Sequence, residues 1–285
     1  MNSSAAPAAA AGTIRLGDLV VNRMALGAMR ATAAGPDIWG PPCDRAAAKK
    51  LLLRALELGI NFIDTADSYG PHASELCIAE ALHPYPEGLV IGTKGGLVRP
   101  GPSRWDPDGR PEHLRRAVDG SLARLKLERI DLYQLHAPDP TVPFAESVGA
   151  LAEARRAGKI RHLGLSNVSV KELEEARRIA PIVSVQNEYN VGNRESEDVL
   201  EACERLGIAF IPWYPLGDGE ALKSRKIRRV AAELGATPAQ VALAWLLLHS
   251  QAMLPIPGTS SIAHLEENTA AAQLQLSREI LAGLV

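Results

Sequence analysis

Short apolar runs alternate with longer amphipathic stretches along most of the chain. Runs rich in Val, Ile and Leu fall at 24–29, 61–64, 89–94, 130–136, 160–166, 182–186, 208–213 and 253–257. In the stretches that follow, apolar residues recur three and four apart, which marks helices at 44–58, 73–82, 111–127, 144–157, 170–179, 196–206, 238–250 and 262–272. Eight strands, each followed by a helix, predict an α/β protein: a single-domain (β/α)8 TIM barrel. The runs are continuously apolar, which suits parallel strands covered outside by helices and inside by their own side chains. Ahead of them, 13–16 and 19–21 flank Gly17-Asp18 and predict an N-terminal β-hairpin across the barrel bottom.

Local chemistry supports these boundaries. Ser169-x-x-Glu172 and Thr237-Pro238-x-Gln240 are capping boxes, the second with Pro at the first helical position. Gly59 and Gly207 stand where helices end. A chain of 285 residues matches the roughly 250 that such a barrel needs. One domain over 13–285 is expected, after an Ala-, Ser- and Pro-rich tail at 1–12 expected to be disordered.

Composition narrows the partners. A net charge of −2 lacks the basic face that nucleic acid or an anionic membrane demands. No stretch approaches the ~18 apolar residues of a membrane span. The tail lacks the basic segment and Leu-type core of a signal peptide. Cys43, Cys77 and Cys203 are isolated and form no C-x-x-C pair, which suits a reducing compartment and argues against a thiolate metal site. The expectation is a cytoplasmic protein, a monomer or small homo-oligomer, acting on a small molecule.

Barrel chemistry sits at the carboxyl ends of the strands. Here those ends read Asp64, Lys94, His136, Ser166-Asn167, Gln186-Asn187 and Trp213. Each alone has an ordinary reading as a turn cap or a satisfied core group; their convergence on one rim does not. Lys94 follows Leu89-Val90-Ile91-Gly92-Thr93, so its ammonium is expected to be buried and to need a partner. Asp64 ends the preceding strand and is the expected neighbour. Tyr69, in Asp64-Thr65-Ala66-Asp67-Ser68-Tyr69-Gly70, lies close enough along the chain to fold back over the mouth. A phenol titrates near pH ~10; an adjacent ammonium is expected to lower that and make Tyr69 a usable general acid for carbonyl reduction. His136 would orient the carbonyl.

No side chain supplies a hydride, so a cofactor is implied. Neither a G-x-G-x-x-G strand–helix turn nor a phosphate-binding G-x-x-x-x-G-K-[ST] loop is present, which leaves the barrel mouth. Trp213 would stack on a nicotinamide ring, and Ser166, Asn167 and Gln186 would hold its carboxamide. Pro257-Gly258-Thr259-Ser260-Ser261 opens the last helix and offers a phosphate site; an ordinary Ser N-cap is the competing reading. Lys223, Arg225 and Lys226 could reach phosphates or form a solvated helix face. Trp39 in the 30–43 loop and Trp105 in the 98–110 loop either line the substrate site or pack those loops.

These residues resemble the aldo-keto reductases over nearly the whole chain. The matching segments are Asn61-Phe62-Ile63-Asp64-Thr65-Ala66-Asp67-Ser68-Tyr69-Gly70, Thr93-Lys94, Asp131-Leu132-Tyr133-Gln134-Leu135-His136-Ala137-Pro138-Asp139, Gly164-Leu165-Ser166-Asn167, Gln186-Asn187-Glu188-Tyr189-Asn190 and Pro215-Leu216-Gly217. The resemblance implies NADP(H) and a catalytic tetrad on Asp64, Tyr69, Lys94 and His136. It also implies cofactor contacts at Ser166, Asn167, Gln186, Trp213, Leu216, Gly217, Gly258, Thr259, Ser260, His264, Glu267 and Asn268. Within the family, Gly40-Pro41-Pro42-x-Asp44-Arg45, Tyr69-Gly70-Pro71-His72 and Ile256-Pro257-Gly258-Thr259-Ser260-Ser261-x-Ala263-His264-Leu265 look like bacterial pyridoxal reductases. That implies reduction of pyridoxal to pyridoxine, with other aldehydes or keto sugars as alternatives. Many family members grip the 2′-phosphate of NADPH with a Lys and an Arg; those positions fall on Gly258 and His264, which leaves NAD(H) open. A retaining glycosidase, suggested by Asn187-Glu188, would need two free carboxyl groups about 5–5.5 Å apart. A redox-sensing regulatory subunit rests on fold alone. Gly164-Leu165-Ser166-Asn167-Val168 is not a serine-hydrolase elbow.

Overall fold

Alternating apolar runs and amphipathic stretches fold as that pattern dictates. The computed structural model describes residues 6–284 apart from Ala34, Pro36 and Cys43; the expectations for Cys43 and for residues 1–5 lie outside the described residues. The N-terminal hairpin pairs β1 (Thr13–Leu16) with β2 (Leu19–Asn22). Next come β3 (Leu26–Gly27), β4 (Phe62–Asp64) and β5 (Val90–Gly95), then a small antiparallel ribbon of β6 (Leu97–Val98) and β7 (Asp106–Pro107). The remaining strands are β8 (Ile130–Leu135), β9 (Ile160–Ser166), β10 (Ile182–Glu188) and β11 (Ala209–Trp213). Seven of them form one curled parallel sheet in the order β3-β4-β5-β8-β9-β10-β11.

The eighth position is where the structure departs from the expected strand at 253–257. That segment makes only isolated parallel bridges, Met253 with Phe210 and Gly258 with Gly27. Leu254 N–H donates to Phe210 O (2.8 Å), Phe210 N–H to Ala252 O (2.8 Å) and Ala25 N–H to Pro255 O (3.1 Å). The segment therefore bonds to both edges of the sheet and closes the (β/α)8 ring. It cannot form a regular ladder because Pro255 and Pro257 have no N–H to give. The closure is tight: a Cβ at Gly27 would stand 2.6 Å from Ile256 O, and one at Gly258 3.1 Å from Gly27 O.

Arg23 holds this seam from below. Its buried guanidinium donates to Leu247 O (2.8 Å), Ser250 O (2.5 Å), Met253 O (3.1 Å) and Gln251 Oε1 (3.1 Å). The first two carbonyls lie at and just past the end of the helix Pro238–His249, where a cation is favoured. The hairpin closes the floor, with Leu16 and Val21 buried in one cluster with Phe62, Leu132, Ile211 and Leu254.

The helices follow the expected periodicity. Ala73–Leu82 and Val170–Ile179 match their expected bounds, and both capping boxes form. The expected 196–206 helix starts at Glu197, since the Ser196 side chain makes no cap. The 262–272 helix ends at Ala270 and continues as a 3-10 turn. Met29–Thr32, Arg225–Leu234 and Arg278–Gly283 are helices beyond the eight expected. In Arg225–Leu234 only Ile227, Val230 and Ala231 are buried, too thin an apolar stripe to stand out beside four cations. The tail expectation is corrected for its described part: Pro7–Ala11 is a 3-10 turn, Ala8 is fully buried, and its N–H donates to Leu58 O (3.0 Å). Small alanine side chains permit that close approach. No single helix among the described residues is long and apolar enough to cross a membrane.

Candidate active site

The parallel register of β4, β5 and β8 brings three polar groups to one level inside the ring. Lys94 is paired with Gln134 across β5 and β8, and Asp64 ends β4 beside β5. Lys94 is 0% exposed and Asp64 2%. Lys94 Nζ donates to Asp64 Oδ2 (2.6 Å), Thr65 O (2.9 Å) and Tyr69 Oη (3.4 Å), using all three of its protons. Asp64 Oδ1 accepts from Gln186 Nε2 (2.9 Å) and Gln134 Nε2 (3.2 Å). Both carboxylate oxygens are thus engaged, and Asp64 is not the free carboxylate that a glycosidase requires.

The loop after β4 keeps pairing along β5 before it turns. Thr65 N–H donates to Gly92 O (2.8 Å), and Asp67 N–H to Lys94 O (3.1 Å). The turn then returns the Tyr69 phenol to Lys94. Burial pushes the phenol above its ordinary value, with Asp64 adding and Lys94 opposing. The sequence argument expected the ammonium to win; it does not, because the ring is desolvated and Asp64 offsets the positive charge. Tyr69 is therefore firmly protonated at neutrality. Asp64 and Tyr69 raise Lys94 above the ordinary lysine value despite its burial, so the ammonium stays charged.

His136 follows β8, and its ring stands edge-on to Tyr69 at 5.8 Å. Burial, with Lys94 beside it, holds the imidazole well below its usual value; it is neutral. Ser68 Oγ lies 3.3 Å from His136 Nδ1. A neutral imidazole whose Nδ1 accepts from Ser68 carries its proton on Nε2. Asn167 sits in the left-handed region at φ +58°. It donates to His136 O (2.9 Å) and Ser166 Oγ (3.1 Å) and accepts from Trp213 Nε1 (3.0 Å), so it fixes the indole against the rim.

A cleft of about 300 Å³ opens over this group. Asp64, Tyr69, His136, Trp105, Ser166, Asn167, Gln186, Trp213, Leu216 and Gly258 line it as expected, with Lys94 directly behind. Other expected residues stand away from its lining. Trp39 is 38% exposed and lies 5.5 Å from the Arg99 guanidinium. Gly217, Thr259, Ser260, His264, Glu267 and Asn268 lie beyond the cleft wall. Thr259 Oγ1 accepts from Ser261 N–H (3.0 Å), and Ser261 caps the helix Ile262–Ala270 through His264 N–H (3.4 Å), so Ser261 is an N-cap. Lys223 pairs with Glu220 (2.5 Å), and neither Lys223, Arg225 nor Lys226 lines the cleft.

Sequence reasoning missed Gln134, Arg30 and Asp218. Leu132 faces the barrel interior, so period two places Gln134 on the same inner face, which was a readable signal. Arg30, just past β3, reaches across the cleft to Asp218 (3.0 Å) in the loop after β11; a pairing 188 residues apart leaves no local trace.

The fold, the buried Asp–Lys pair and the cleft coincide with one family. The model of the aldo/keto reductase family matches residues 23–284. The chain belongs to the aldo/keto reductase family. It is 53% identical over 283 residues to an uncharacterized oxidoreductase of Schizosaccharomyces pombe, covering 99% of this chain and 92% of that protein. It is 47% identical over 278 residues to the pyridoxine 4-dehydrogenase of Escherichia coli, covering 95% and 96%. A solved aldo-keto reductase from Klebsiella pneumoniae in complex with NADPH superposes with a TM-score of 0.80 at 27% identity, covering 95% of this chain and 93% of that one. This aldo/keto reductase is therefore an oxidoreductase on a TIM barrel, and the resemblance read from its motifs holds along almost all of its length.

Proposed function

We propose that this aldo/keto reductase uses NADPH to reduce an aldehyde to an alcohol, with pyridoxal as substrate and pyridoxine as product. The observation that carries the reading is the fully buried Asp64–Lys94 pair set behind a protonated Tyr69 that faces the cleft. The relative named for pyridoxine oxidation shares 47% of its residues with this chain.

The cleft suits a nicotinamide dinucleotide. Ser166 and Gln186 offer polar groups at one end beside the Trp213 ring, while Gly27 and Gly258 line the other end beside the cation of Arg30. Asn167 spends both amide protons on His136 O and Ser166 Oγ, whereas Gln186 gives one of its two to Asp64, so carboxamide recognition falls chiefly to the Ser166 hydroxyl and the second amide proton of Gln186. The bound nicotinamide supplies the hydride, which no side chain can. The substrate carbonyl oxygen lies between Tyr69 Oη and the imidazole of His136. Tyr69 gives its proton to that oxygen as the carbon becomes tetrahedral, and the Lys94 ammonium stabilises the phenolate left behind. Asp64 fixes the ammonium, and Gln134 and Gln186 fix Asp64. Tyr69 is reprotonated before the next turnover.

Ser260 and His264, both exposed near the start of the helix Ile262–Ala270, are the groups we assign to the 2′-phosphate. They are weaker grips than a Lys and Arg, so NADH is a slower second donor. Cys77 and Cys203 are buried free thiols, in keeping with the cytoplasmic setting we assign. The test is oxidation of NADPH and NADH against pyridoxal, simple aldehydes and keto sugars. Pyridoxine should form in step with NADPH loss. If no carbonyl drives NADPH oxidation, the proposal fails.

A further inference from the structure

Arg99 lies in the β6–β7 ribbon and is 8% exposed. It makes no hydrogen bond to a carboxylate among the described residues; its guanidinium donates to main-chain carbonyls instead. Nε donates to Arg104 O (2.8 Å), Nη1 to Ile38 O (3.2 Å) and Ser68 O (3.4 Å), and Nη2 to Asp37 O (2.6 Å). These carbonyls belong to three separate segments: the loop after β3, the turn that carries Tyr69, and the ribbon itself. Ser103 Oγ donates to Asp37 Oδ1 and ties two of the same segments again. A buried cation is costly unless its donors are satisfied, so this pattern fixes the geometry of all three.

The same guanidinium lies 3.6 Å from the centroid of the Trp105 ring. Trp105 lines the cleft and Arg99 does not, so the cation backs the ring from behind. Trp105 in turn meets Tyr69 edge-on at 6.2 Å. A cation on one face of an indole draws its π density to that side. The cleft-facing side then offers a held planar surface that favours a stacked aromatic ring over an alkyl chain.

We propose that Arg99 is the specificity-determining positioning residue of the substrate pocket: it staples three loops and holds Trp105 as an aromatic platform beside Tyr69, which selects planar aromatic aldehydes over small aliphatic ones. The proposal rests on the carbonyl-reductase reading and adds the substrate class to it. A lysine cannot replace this arginine, because a single ammonium lacks the planar fork that both stacks and bridges.

The experiment compares kcat/KM for 4-hydroxybenzaldehyde and for propanal in the wild type, Arg99→Met, Arg99→Lys and Trp105→Leu. Arg99→Met should lower kcat/KM on the aromatic aldehyde about tenfold more than on propanal, mainly through KM, on the scale of a desolvated cation–π contact. Arg99→Lys should show the same pattern, and Trp105→Leu should reproduce it with Arg99 intact. The double variant Arg99→Met/Trp105→Leu should be no worse on the aromatic aldehyde than Trp105→Leu alone, since both changes remove one platform. The affinity for NADP+ should be unchanged throughout. Equal losses on both aldehydes would overturn the proposal, because Arg99 would then merely hold the Tyr69 loop; full rescue by Arg99→Lys would overturn it too. If the wild type reduces no aldehyde, the function reading fails separately, and calorimetry of 4-hydroxybenzyl alcohol binding to the NADP+-saturated wild type and Trp105→Leu still decides the platform. Weaker binding by the variant supports the platform, and equal binding refutes it.

Discussion

Replacing Lys94 with Met tests whether the centre is a true buried ion pair. The ammonium is 0% exposed, and Asp64, at 2%, would lose the only partner of Oδ2 among the described residues while keeping two glutamine donors on Oδ1. Breaking one side of a buried pair costs about 3–5 kcal/mol. At about 2 °C per kcal/mol for a domain of this size, the melting temperature should fall by about 6–10 °C. Changing both partners, Asp64→Asn with Lys94→Met, removes the stranded charge. Thr65 O, released by Lys94, can then accept from the new amide, so most of the lost stability should return. Activity should not return with it. Without the ammonium the Tyr69 phenolate has no counter-charge, and turnover should stay down by about 10²–10⁴-fold in both variants. Thermal melts and NADPH-dependent turnover measured on the same preparations separate the two effects. A single variant that melts with the wild type, or a double variant that recovers both stability and turnover, would refute the reasoning.

Other predictions follow from charge and burial. On the proposed mechanism reduction uses the protonated phenol, whose pKa burial raises, so its kcat should stay level through neutrality and fall only above the ordinary tyrosine range; alcohol oxidation would use the phenolate and should climb through that whole range without levelling. An oxidation plateau near pH ~8 would contradict the raised phenol. His72, His113 and His136 are each held below the ordinary imidazole value, chiefly by burial. The unfolded chain takes up protons near pH ~6.5 that the folded chain refuses, so stability should fall as pH drops through that range; denaturant midpoints should show this, and His136→Gln should flatten it. Asp218→Asn removes the Arg30 pair, which is 36% and 63% exposed, and should change stability by less than about 1 kcal/mol. The same change should speed NADP+ release in stopped-flow measurements, because that pair spans the cleft; an unchanged release rate would show that it does not hold the dinucleotide.

The fold was legible because period and capping agree. Ser169-Glu172 and Thr237-Gln240 announce their helices before any packing is known, and the apolar strands leave no choice of sheet type. The buried polar group behind the cleft was legible for a related reason: a lysine at the end of an apolar strand has few physical excuses. What escaped was long-range. The carbonyl partners of Arg99, and all but one of those of Arg23, are backbone atoms, which carry no side-chain signature, and Arg30 finds Asp218 only once the ring has closed. The direction of the Tyr69 shift also escaped, because proximity to Lys94 was readable while the depth of burial and the opposing field of Asp64 were not. The irregular eighth segment was misjudged from its apolar residues; its two prolines were the contrary signal.

The joint that closes the barrel is also a wall of the cleft. Ile256, Pro257 and Gly258 lie on one side of it and Gly27 on the other, and the segment between them is held by scattered hydrogen bonds rather than a ladder. A dinucleotide lying along this wall would act as a clasp, so its binding energy and the local opening of the ring would be linked. The amide protons of Leu254 and Ala25, which bridge the joint, should then exchange with solvent more slowly when NADP+ is bound than those of β8 on the far side. Occupancy would be felt as architecture: the seam of the loaded enzyme would open more rarely than that of the empty one.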